Sequence, residues 1–508
     1  MNLLSSTSIF SFFTLISRVL GYLRDILIAI FLGASIFADA FFVAFRLPNT
    51  FRRLFAEGTF NAAFIPSYTS AKIEEKKKGK KFADDVFKSL LLILIFIVTL
   101  AEIFTPYLIY IIAPGFLEDQ IKFNLAIELT RITFPFLLFI SLSSFFAGIL
   151  NSNNKFAAAA AAPIILNIIL IASLILSFMY SLDYAKQLSY GVTISGIIQL
   201  FFLFYVTKKF YKPSFNFDLR LSSKVKFFFK KLLPSILSSG VTQINILVGT
   251  IIASFQTGAV SYLYYADRVY QINLAIAGIA VGTVSLPVLS KAFKMKNVKK
   301  ISDIQNRSFE LSLLFSIPAS FGLILASNEI VNALFGYGSF SLNDVEMTAT
   351  ALKFFGYGVP AFALIKILSN FFFARDNTKT PFYISVFIVF LNILISVIFF
   401  NKIGFIIIPI ATSISTWIGV AIYLYILNIK KILLLKNKLM INFIKILLST
   451  IIMSSILLFS LDRLTNYLDY HYNYKALYLI SIVSFVGMFY LFSCYLLGIL
   501  KLKNYKTN

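Results

Sequence analysis

Charged side chains stand inside the long apolar stretches of this chain, where a charge is costly. Residues 17–66 read SRVLGYLRDILIAIFLGASIFADAFFVAFRLPNTFRRLFAEGTFNAAFIP. An arginine or aspartate at the centre of a bilayer costs on the order of 3 kcal/mol, so such residues normally face a bundle interior or a wet cavity. The first two stretches carry Arg18, Arg24, Asp25, Asp39, Arg46, Arg52, Arg53 and Glu57. Later stretches add Asp267, Arg268, Lys366, Arg375 and Asp376.

The sign of this charge indicates the kind of ligand. Of the eight charged residues in the first two stretches, five are arginines and three are carboxylates, so positive charge is in excess. A guanidinium group binds phosphate or carboxylate oxygens through two parallel hydrogen bonds and stays protonated. A cavity of this kind suits a substrate with a diphosphate or several carboxylates, whereas a cation exporter needs the opposite sign. The charge alone does not identify the anion.

The spacing of these residues predicts where they point. Arg18, Gly21 and Asp25 share one helical stripe, and Arg24 is rotated from Arg18 by roughly a third of a turn. In the next stretch, Pro48 interrupts the hydrogen-bond ladder. Helices broken near the middle of a membrane often form substrate sites in transporters.

Ion pairs that lock helices together are the structural alternative. Arg53 and Glu57 are four residues apart, a spacing that allows pairing on one helix face. Arg24 has Asp25 beside it and Asp39 on the next stretch, so it too has carboxylates for an internal pair. These carboxylates are therefore candidates for either gating or internal pairing.

The other charges have structural alternatives as well. Arg46 can snorkel or pair within its own bundle, and Arg52 can anchor the cytoplasmic end of its helix. Arg375 and Asp376 in ARDNTKTP are expected to cap a turn. For Lys366, snorkelling and cavity lining fit equally, and Asp267 is a gating candidate.

The composition indicates that these stretches lie in a membrane. Apolar residues make up 59% of the 508 positions and charged residues 13%, which indicates an all-α membrane protein and not a water-soluble one. The net charge of +24 lies in short clusters between apolar runs, which argues against nucleic acid as a partner. With one cysteine and one histidine, we expect no disulfide framework, metal site or cofactor.

Apolar runs long enough to span a bilayer number about fourteen. We place them near Ser5 to Leu32, Asp39 to Tyr68, Asp85 to Ala113, Phe123 to Leu150, Ala157 to Met179, Gln187 to Tyr205, Val225 to Ala253, Val260 to Leu289, Ile304 to Phe335, Val345 to Ala374, Pro381 to Phe400, Phe405 to Leu427, Asn442 to Leu461 and Lys475 to Leu500. No cleaved signal is expected at the N-terminus.

The loops between these runs alternate in charge, which predicts the topology. Lysine-rich loops are Lys72 to Lys81, Lys208 to Lys231, Lys291 to Lys300 and Lys430 to Lys438, whereas GFLEDQ, GYGSFSLND and DRLTNYLDYHYN are lysine-poor and acidic. Basic loops stay in the cytoplasm, so we expect both termini there as well.

An internal repeat is visible at an offset of about 222 to 225 residues. Arg46 aligns with Arg268, Pro66 with Pro287, Pro135 with Pro360 and Asn167 with Asn392. The repeat predicts two pseudo-symmetric six-helix lobes around a cavity, with two extra helices at the C-terminus. The expected boundaries are 1–206 for the first lobe, 207–224 for a basic cytoplasmic linker, 225–429 for the second lobe and 430–508 for the last two spans and the tail.

Several of these stretches also resemble one family. SRVLGYLRD, ADAFFVAFRLPNTFRRLFAEGTFNAAFIP, and YYADRVYQ followed by VGTVSLPVLSK look like signatures of the MurJ (MviN) lipid II flippases. That family belongs to the multidrug, oligosaccharidyl-lipid and polysaccharide exporter superfamily. The resemblance extends over nearly the whole chain.

The resemblance implies a bacterial inner-membrane transporter that moves lipid II by alternating access. It implies a lateral groove by the last two spans for the undecaprenyl chain, and a diphosphate held by Arg18, Arg24 and Arg268. The positions that match the family's polar cavity residues are Ser17, Arg18, Arg24, Asp39, Arg52 and Arg268. Membrane lipid is an expected partner, the cell-wall synthesis machinery is a candidate partner, and a monomer is expected.

Other functions stay open at this point. A flippase for another polyprenyl-linked oligosaccharide, such as O-antigen, is the first alternative, and a multidrug cation antiporter is the second. An intramembrane enzyme would need catalytic groups in a loop, and the longest loop, Thr207 to Lys224, has Asp218 as its one carboxylate. The coupling ion is unassigned: Asp39, Asp267 or Glu57 could carry protons, and the membrane potential could drive charged gates.

Overall fold

The structure, a computed structural model, is built of helices and describes residues 3–56, 59–214, 223–433 and 435–500. Within those residues, ten helical runs are long and apolar enough to cross a membrane. The all-α membrane fold is therefore confirmed. The count of fourteen spans stays a prediction.

The chain divides into two compact units, Met1–Ser261 and Tyr262–Asn508. In the first, a 3₁₀ turn, Pro114–Glu118, follows the fifth helix. The helices are α1 Leu3–Leu32, α2 Ile36–Ala56, α3 Thr59–Glu74, α4 Lys76–Ile103, α5 Thr105–Ile112, α6 Gln120–Thr133, α7 Phe136–Ser152, α8 Phe156–Tyr180, α9 Tyr184–Thr207 and α10 Ser223–Ala253. Helix α11, Ala259–Leu274, begins in the first unit and continues into the second.

In the second unit a π-helical segment, Ala275–Ala280, extends α11 into the next helix, and Gly404–Ile406 forms a 3₁₀ turn. The helices that follow α11 are α12 Val281–Lys294, α13 Val298–Leu325, α14 Ser327–Phe335, α15 Leu342–Phe373, α16 Lys379–Ile403, α17 Ile407–Ile429, α18 Asn437–Arg463, α19 Thr465–Leu468 and α20 Lys475–Leu496.

The helix bounds repeat at the offset expected from the sequence. Helices α4 and α13 both contain 28 residues, and that offset separates their first residues, Lys76 and Val298. Left-handed backbone recurs as well, because Asn154 and Asp376, which are separated by the same offset, each have φ of 58°. The repeat therefore extends from helix lengths down to single turns.

Several expected spans are interrupted in the structure. The third, expected from Asp85 to Ala113, is formed by α4 and α5, which separate at Phe104. The break is local: Pro106 stands in the first turn of α5, where its missing N–H has no helical partner to lose. Hydropathy averages over such a break, because both sides of it are apolar.

Aromatic rings make up much of the core of the first unit. Phe64 is fully buried, and its ring centroid lies 5.2 Å from that of Phe145 and 6.2 Å from that of Phe228. Phe228 belongs to α10, which the sequence placed at the head of the second lobe, and it packs here on rings of the first unit. The expected lobe boundaries stay a prediction.

Candidate functional site

Arg24 lies at the centre of a buried polar cluster on α1. Its Nε and Nη2 donate to Oδ1 of Asp25 at 3.0 and 2.6 Å. The two side chains are 7% and 3% exposed. A buried ion pair repays its desolvation only with good geometry and further hydrogen bonds. The expected internal pairing of Arg24 with Asp25 is therefore present, whereas a pairing with Asp39 is not seen.

Asn167 of α8 supplies the further bonds. Its Oδ1 accepts from Nη1 of Arg24 at 2.9 Å, and its Nδ2 donates to the backbone oxygen of Ser17 at 2.9 Å. One side chain thus fixes the guanidinium group and also ties α8 to α1 about two turns earlier in that helix. The sequence indicated Asn167 only as a member of the internal repeat, with no link to Arg24.

The remaining charges of the first two helices lie in different surroundings. Arg18 is exposed, which agrees with its rotation away from Arg24. Arg46 and Arg53 are half-buried, and Nε of Arg52 donates to Asn49 Oδ1 at 2.9 Å. Glu57 lies outside the described residues.

Asp39 forms a second buried cluster, where the N-terminal ends of three helices meet. Its Oδ1 accepts from the backbone N–H and the hydroxyl of Ser261 at 3.0 and 2.7 Å. Its Oδ2 accepts from the N–H of Gly258 at 2.8 Å and from Nζ of Lys122 at 2.7 Å. Asp39 is fully buried. It therefore caps α11 from a distance, since free N–H groups at a helix start favour an anion.

The turn between α10 and α11 is also held from another direction. The N–H of Gly115 donates to Oγ of Ser254 at 3.0 Å. A Cβ on Gly115 would lie 2.4 Å from the backbone of Phe255, so a residue without a side chain is needed there. The 3₁₀ turn and Asp39 together clamp this turn onto the first unit.

Lys122 is a buried charge that the sequence analysis missed. It is the third residue of α6, it is 3% exposed, and its Nζ lies 4.1 Å from the ring centroid of Phe116. A single lysine at the edge of an apolar run resembles a membrane-surface anchor, and its partner Asp39 lies 83 residues away. The one signal in the sequence was that Lys122 closely follows the loop GFLEDQ, on the side of the membrane where lysine is otherwise rare.

In the second unit, Arg268 lies on α11 beside an aromatic ring. Its Nη2 donates to the hydroxyl of Tyr264 at 2.9 Å, and its guanidinium carbon lies 4.8 Å from the centroid of that ring. Asp267 accepts a hydrogen bond from Gln271. Lys366 is exposed on α15, and its Cβ lies close to Gly282 of α12.

The expected turn at Arg375 and Asp376 is present. Asp376 has left-handed backbone, and the guanidinium carbon of Arg375 lies 4.5 Å from the ring centroid of Phe293. This contact lies just beyond α15. Arg375 therefore has a structural role in the described residues.

The basic linker that follows α9 is attached to α4 by a buried carboxylate. Asp84 accepts from the hydroxyl of Tyr211 at 2.7 Å and from the N–H and hydroxyl of Ser214 at 3.1 and 2.6 Å. Burial, and then the Asp84 carboxylate, raise the pKa of Tyr211 far above its usual range, so the phenol stays protonated. The first half of the linker is thereby fixed to the first unit.

This arrangement provides oriented guanidinium groups for an anion. Within the described parts of the chain, no three histidine, cysteine or carboxylate residues are grouped so as to hold a metal ion. A guanidinium group carries five N–H donors, and a phosphate oxygen is a charge-assisted acceptor for them, as Oδ1 of Asp25 is. Full exchange of Asp25 for phosphate would leave the buried Asp25 carboxylate without this partner, so chemistry favours an anion that binds beside the pair.

Comparison with known proteins gives one consistent result. The model of the family described as lipid II flippase MurJ matches residues 28–480. A protein of Rickettsia prowazekii named "Probable lipid II flippase MurJ" is 39% identical over 420 residues, which are 82% of each chain. One from Buchnera aphidicola subsp. Schizaphis graminum with the same name is 35% identical and covers 99% of this chain and 98% of its own.

Solved structures agree with this match. The structure titled "Lipid II flippase MurJ, inward closed conformation" aligns with a TM-score of 0.81 and 30% identity, over 96% of this chain and 98% of that chain. An inward-facing multidrug resistance MATE family transporter of the MOP superfamily aligns with a TM-score of 0.68 and 14% identity, over 82% and 95%. The second likeness shows a shared fold.

Proposed function

Because the chain belongs to the MurJ family of lipid II flippases, we propose that it moves lipid II from the cytoplasmic to the periplasmic leaflet by alternating access. The observation that carries this proposal is the buried guanidinium group of Arg24, oriented by Asp25 and Asn167 inside an apolar helix. A charged group inside a membrane helix is costly, and such groups commonly mark substrate or ion pathways.

Arg18 and Arg24 on α1 and Arg268 on α11 are the groups that we propose for the diphosphate. A phosphate oxygen forms a charge-assisted hydrogen bond with the guanidinium group of Arg24, which carries five N–H donors, while Asp25 stays paired with it. Arg18 is exposed and reaches the anion first, whereas Arg268 is oriented by the ring and hydroxyl of Tyr264. Arg52 and Ser17 complete the proposed polar lining.

Alternating access requires that helices close one end of the transport path while the other is open. We propose that the Asp39 cluster forms part of the closed end, because it holds the start of α11 on the first unit through three hydrogen bonds. Releasing Asp39 would free α11 at its first turn. Lysine-poor loops lie at this end, which supports a periplasmic location.

The alternation of charge between loops supports the proposed topology, and the other parts of the proposal follow from the family. We propose that the protein lies in the bacterial inner membrane, with both termini and the lysine-rich loops in the cytoplasm. Its partners are lipid II and membrane lipid. It acts as a monomer and delivers its substrate to the cell-wall synthesis machinery. Translocation needs no covalent step, so no catalytic residue is required.

Cells in which this chain is the sole lipid II flippase provide the test. Lipid II in the outer leaflet is counted by a periplasmic probe after depletion and after expression of Arg18→Ala, Arg24→Ala or Arg268→Ala. We expect each variant to insert and to lose translocation. Lys402→Ala is the control, because Lys402 is an exposed cation in the last turn of α16.

Unchanged lipid II translocation after depletion would refute the assignment to lipid II. A fall in O-antigen intermediates in the outer leaflet after depletion, counted in the same way, would support the alternative substrate. Full complementation by all three alanine variants would show that the arginines do not hold the diphosphate.

A further inference from the structure

The coordination of Asp39 assigns a distinct part to Lys122. A carboxylate has about four acceptor positions, and here hydrogen bonds occupy two on each oxygen. Three of the bonds come from neutral donors of the α10–α11 turn and the start of α11, namely Gly258 and Ser261. The fourth comes from Lys122, which brings a full positive charge.

Among these four donors, Lys122 is the one that carries a charge, and its Nζ lies 2.7 Å from Oδ2 of Asp39. Removing one partner of a buried ion pair leaves an uncompensated buried charge, which is strongly destabilising. Without Lys122, the neutral donors of Gly258 and Ser261 would have to hold the buried carboxylate alone. Lys122 thereby stabilises the cap that Asp39 forms on α11.

The internal repeat shows that the fold itself does not require this lysine. The offset that relates Asp39 to Ser261 also relates Lys122 to Asp344. In the second unit the corresponding joint is made by the hydroxyl of Tyr262, which donates to Asp344 at 3.1 Å. The starts of α11 and α15 correspond to those of α2 and α6 by the repeat. They are joined by the carboxylate of Asp344 where the first unit has Lys122. The buried cation is a feature of the first unit.

What Lys122 stabilises is the attachment of the helix that carries Arg268. Ser261 and Arg268 are seven residues apart on α11, which is about two turns, or roughly 10 Å, along one face. Fixing the first turn of this helix therefore sets the rotation and height of the face on which Arg268 lies.

We propose that Lys122 is a positioning residue for transport: it pairs with the buried carboxylate of Asp39 and so keeps the start of α11, the helix of Arg268, fixed to the first unit. Its consequence for lipid II rests on the proposed function, whereas its effect on α11 does not.

The test measures opening of the first turn of α11 without substrate. Val260, 1% exposed and adjacent to Ser261, is replaced by cysteine in a Cys494→Ala background. The rate of maleimide labelling is measured in nanodiscs, where both faces are accessible. For Lys122→Met we expect labelling about tenfold faster or more, the ratio that corresponds to one charge-assisted hydrogen bond.

Two further variants separate the charge from the loss of a side chain. In the double variant Asp39→Asn/Lys122→Met, both charges are gone. The amide oxygen can still accept from Ser261, whereas the amide nitrogen replaces the oxygen that accepts from Gly258. We expect its labelling rate to lie between those of the parent and of Lys122→Met, since one hydrogen bond is lost but no unpaired buried charge remains. Lys186→Met removes an exposed pair with Glu128, 2.8 Å apart, and should leave the rate unchanged.

Labelling of Lys122→Met at the parent rate would overturn the proposal, as would a double variant that labels as fast as the single one. If Lys122→Met does not accumulate, Lys122→Arg and Lys122→Gln replace it. We expect slow labelling for arginine and fast labelling for glutamine, and equal rates would refute a role for the charge. Because no lipid II is present, a failed flippase assay leaves these results standing.

Discussion

Replacing Asn167 by leucine tests whether the orientation of Arg24 governs substrate binding. The two side chains are similar in size, and Asn167 is 5% exposed, so leucine fills the space without a new cavity. The change removes the acceptor for Nη1 of Arg24 and the donor to the backbone oxygen of Ser17. Arg24 keeps its ion pair with Asp25, but its guanidinium group can rotate about that contact.

The structure gives the size of the effect. A hydrogen bond to a charged group contributes about 1.5–3 kcal/mol, which corresponds to about 10- to 150-fold in a binding constant. The bond to Ser17 adds little, because that carbonyl belongs to a helix and already has a backbone partner. We therefore expect the affinity for lipid II to fall by one to two orders of magnitude, with the protein still folded.

The assay is displacement of a fluorescent lipid II from purified protein, together with its thermal unfolding. Asn392→Leu is the matched control: Asn392 occupies the repeat-related position, is also 5% exposed, and donates to Thr412 Oγ1 at 3.1 Å. Affinity unchanged in Asn167→Leu would refute the positioning of Arg24 by this residue. An equal loss in Asn392→Leu would trace the effect to helix packing.

Two further predictions concern the attachments around these clusters. Gly115→Ala should lower the free energy of unfolding by about 1–3 kcal/mol, because its Cβ would lie 2.4 Å from the backbone of Phe255. The control is Gly487→Ala, where an added Cβ meets nothing within 4 Å, and equal melting temperatures of the two variants in detergent would contradict the predicted clash. Asp84→Ala should release the linker and speed its proteolysis about tenfold, because Tyr211 loses a charge-assisted bond; cleavage at the parent rate would show that the linker is held in another way.

The architecture could largely be predicted from the sequence, because its signals are long. A spanning run of apolar residues, or an offset that recurs between the two halves of the chain, is averaged over many positions, and single errors do not matter. The interruptions were missed for the same reason. The expected ninth span, Ile304 to Phe335, covers most of α13 and all of α14, which separate at Ala326, and the short polar segment 327–329 there is averaged out by the apolar residues on both sides.

The candidate site could be predicted only as a set of residue types. Neighbouring charges on one helix identified the Arg24–Asp25 pair, since its members are adjacent in the chain. Partners from other helices, such as Asn167 for Arg24, depend on how α1 and α8 pack, which hydropathy does not specify. The predicted roles of Arg18, Arg52 and Arg268 in substrate binding stay predictions.

The pairing of Asp39 strengthens the argument from charge on which the anionic substrate rests. The sequence counted Asp39 among the carboxylates that offset the five arginines of α1 and α2. In the structure its counter-ion is Lys122, 2.7 Å away on α6. Asp39 is therefore unavailable to neutralise those arginines, and Asp25 is already bound to Arg24. Counting Asp39 with Lys122 leaves one carboxylate fewer against the arginines of α1 and α2 than the sequence indicated, which supports a substrate that brings its own anionic groups.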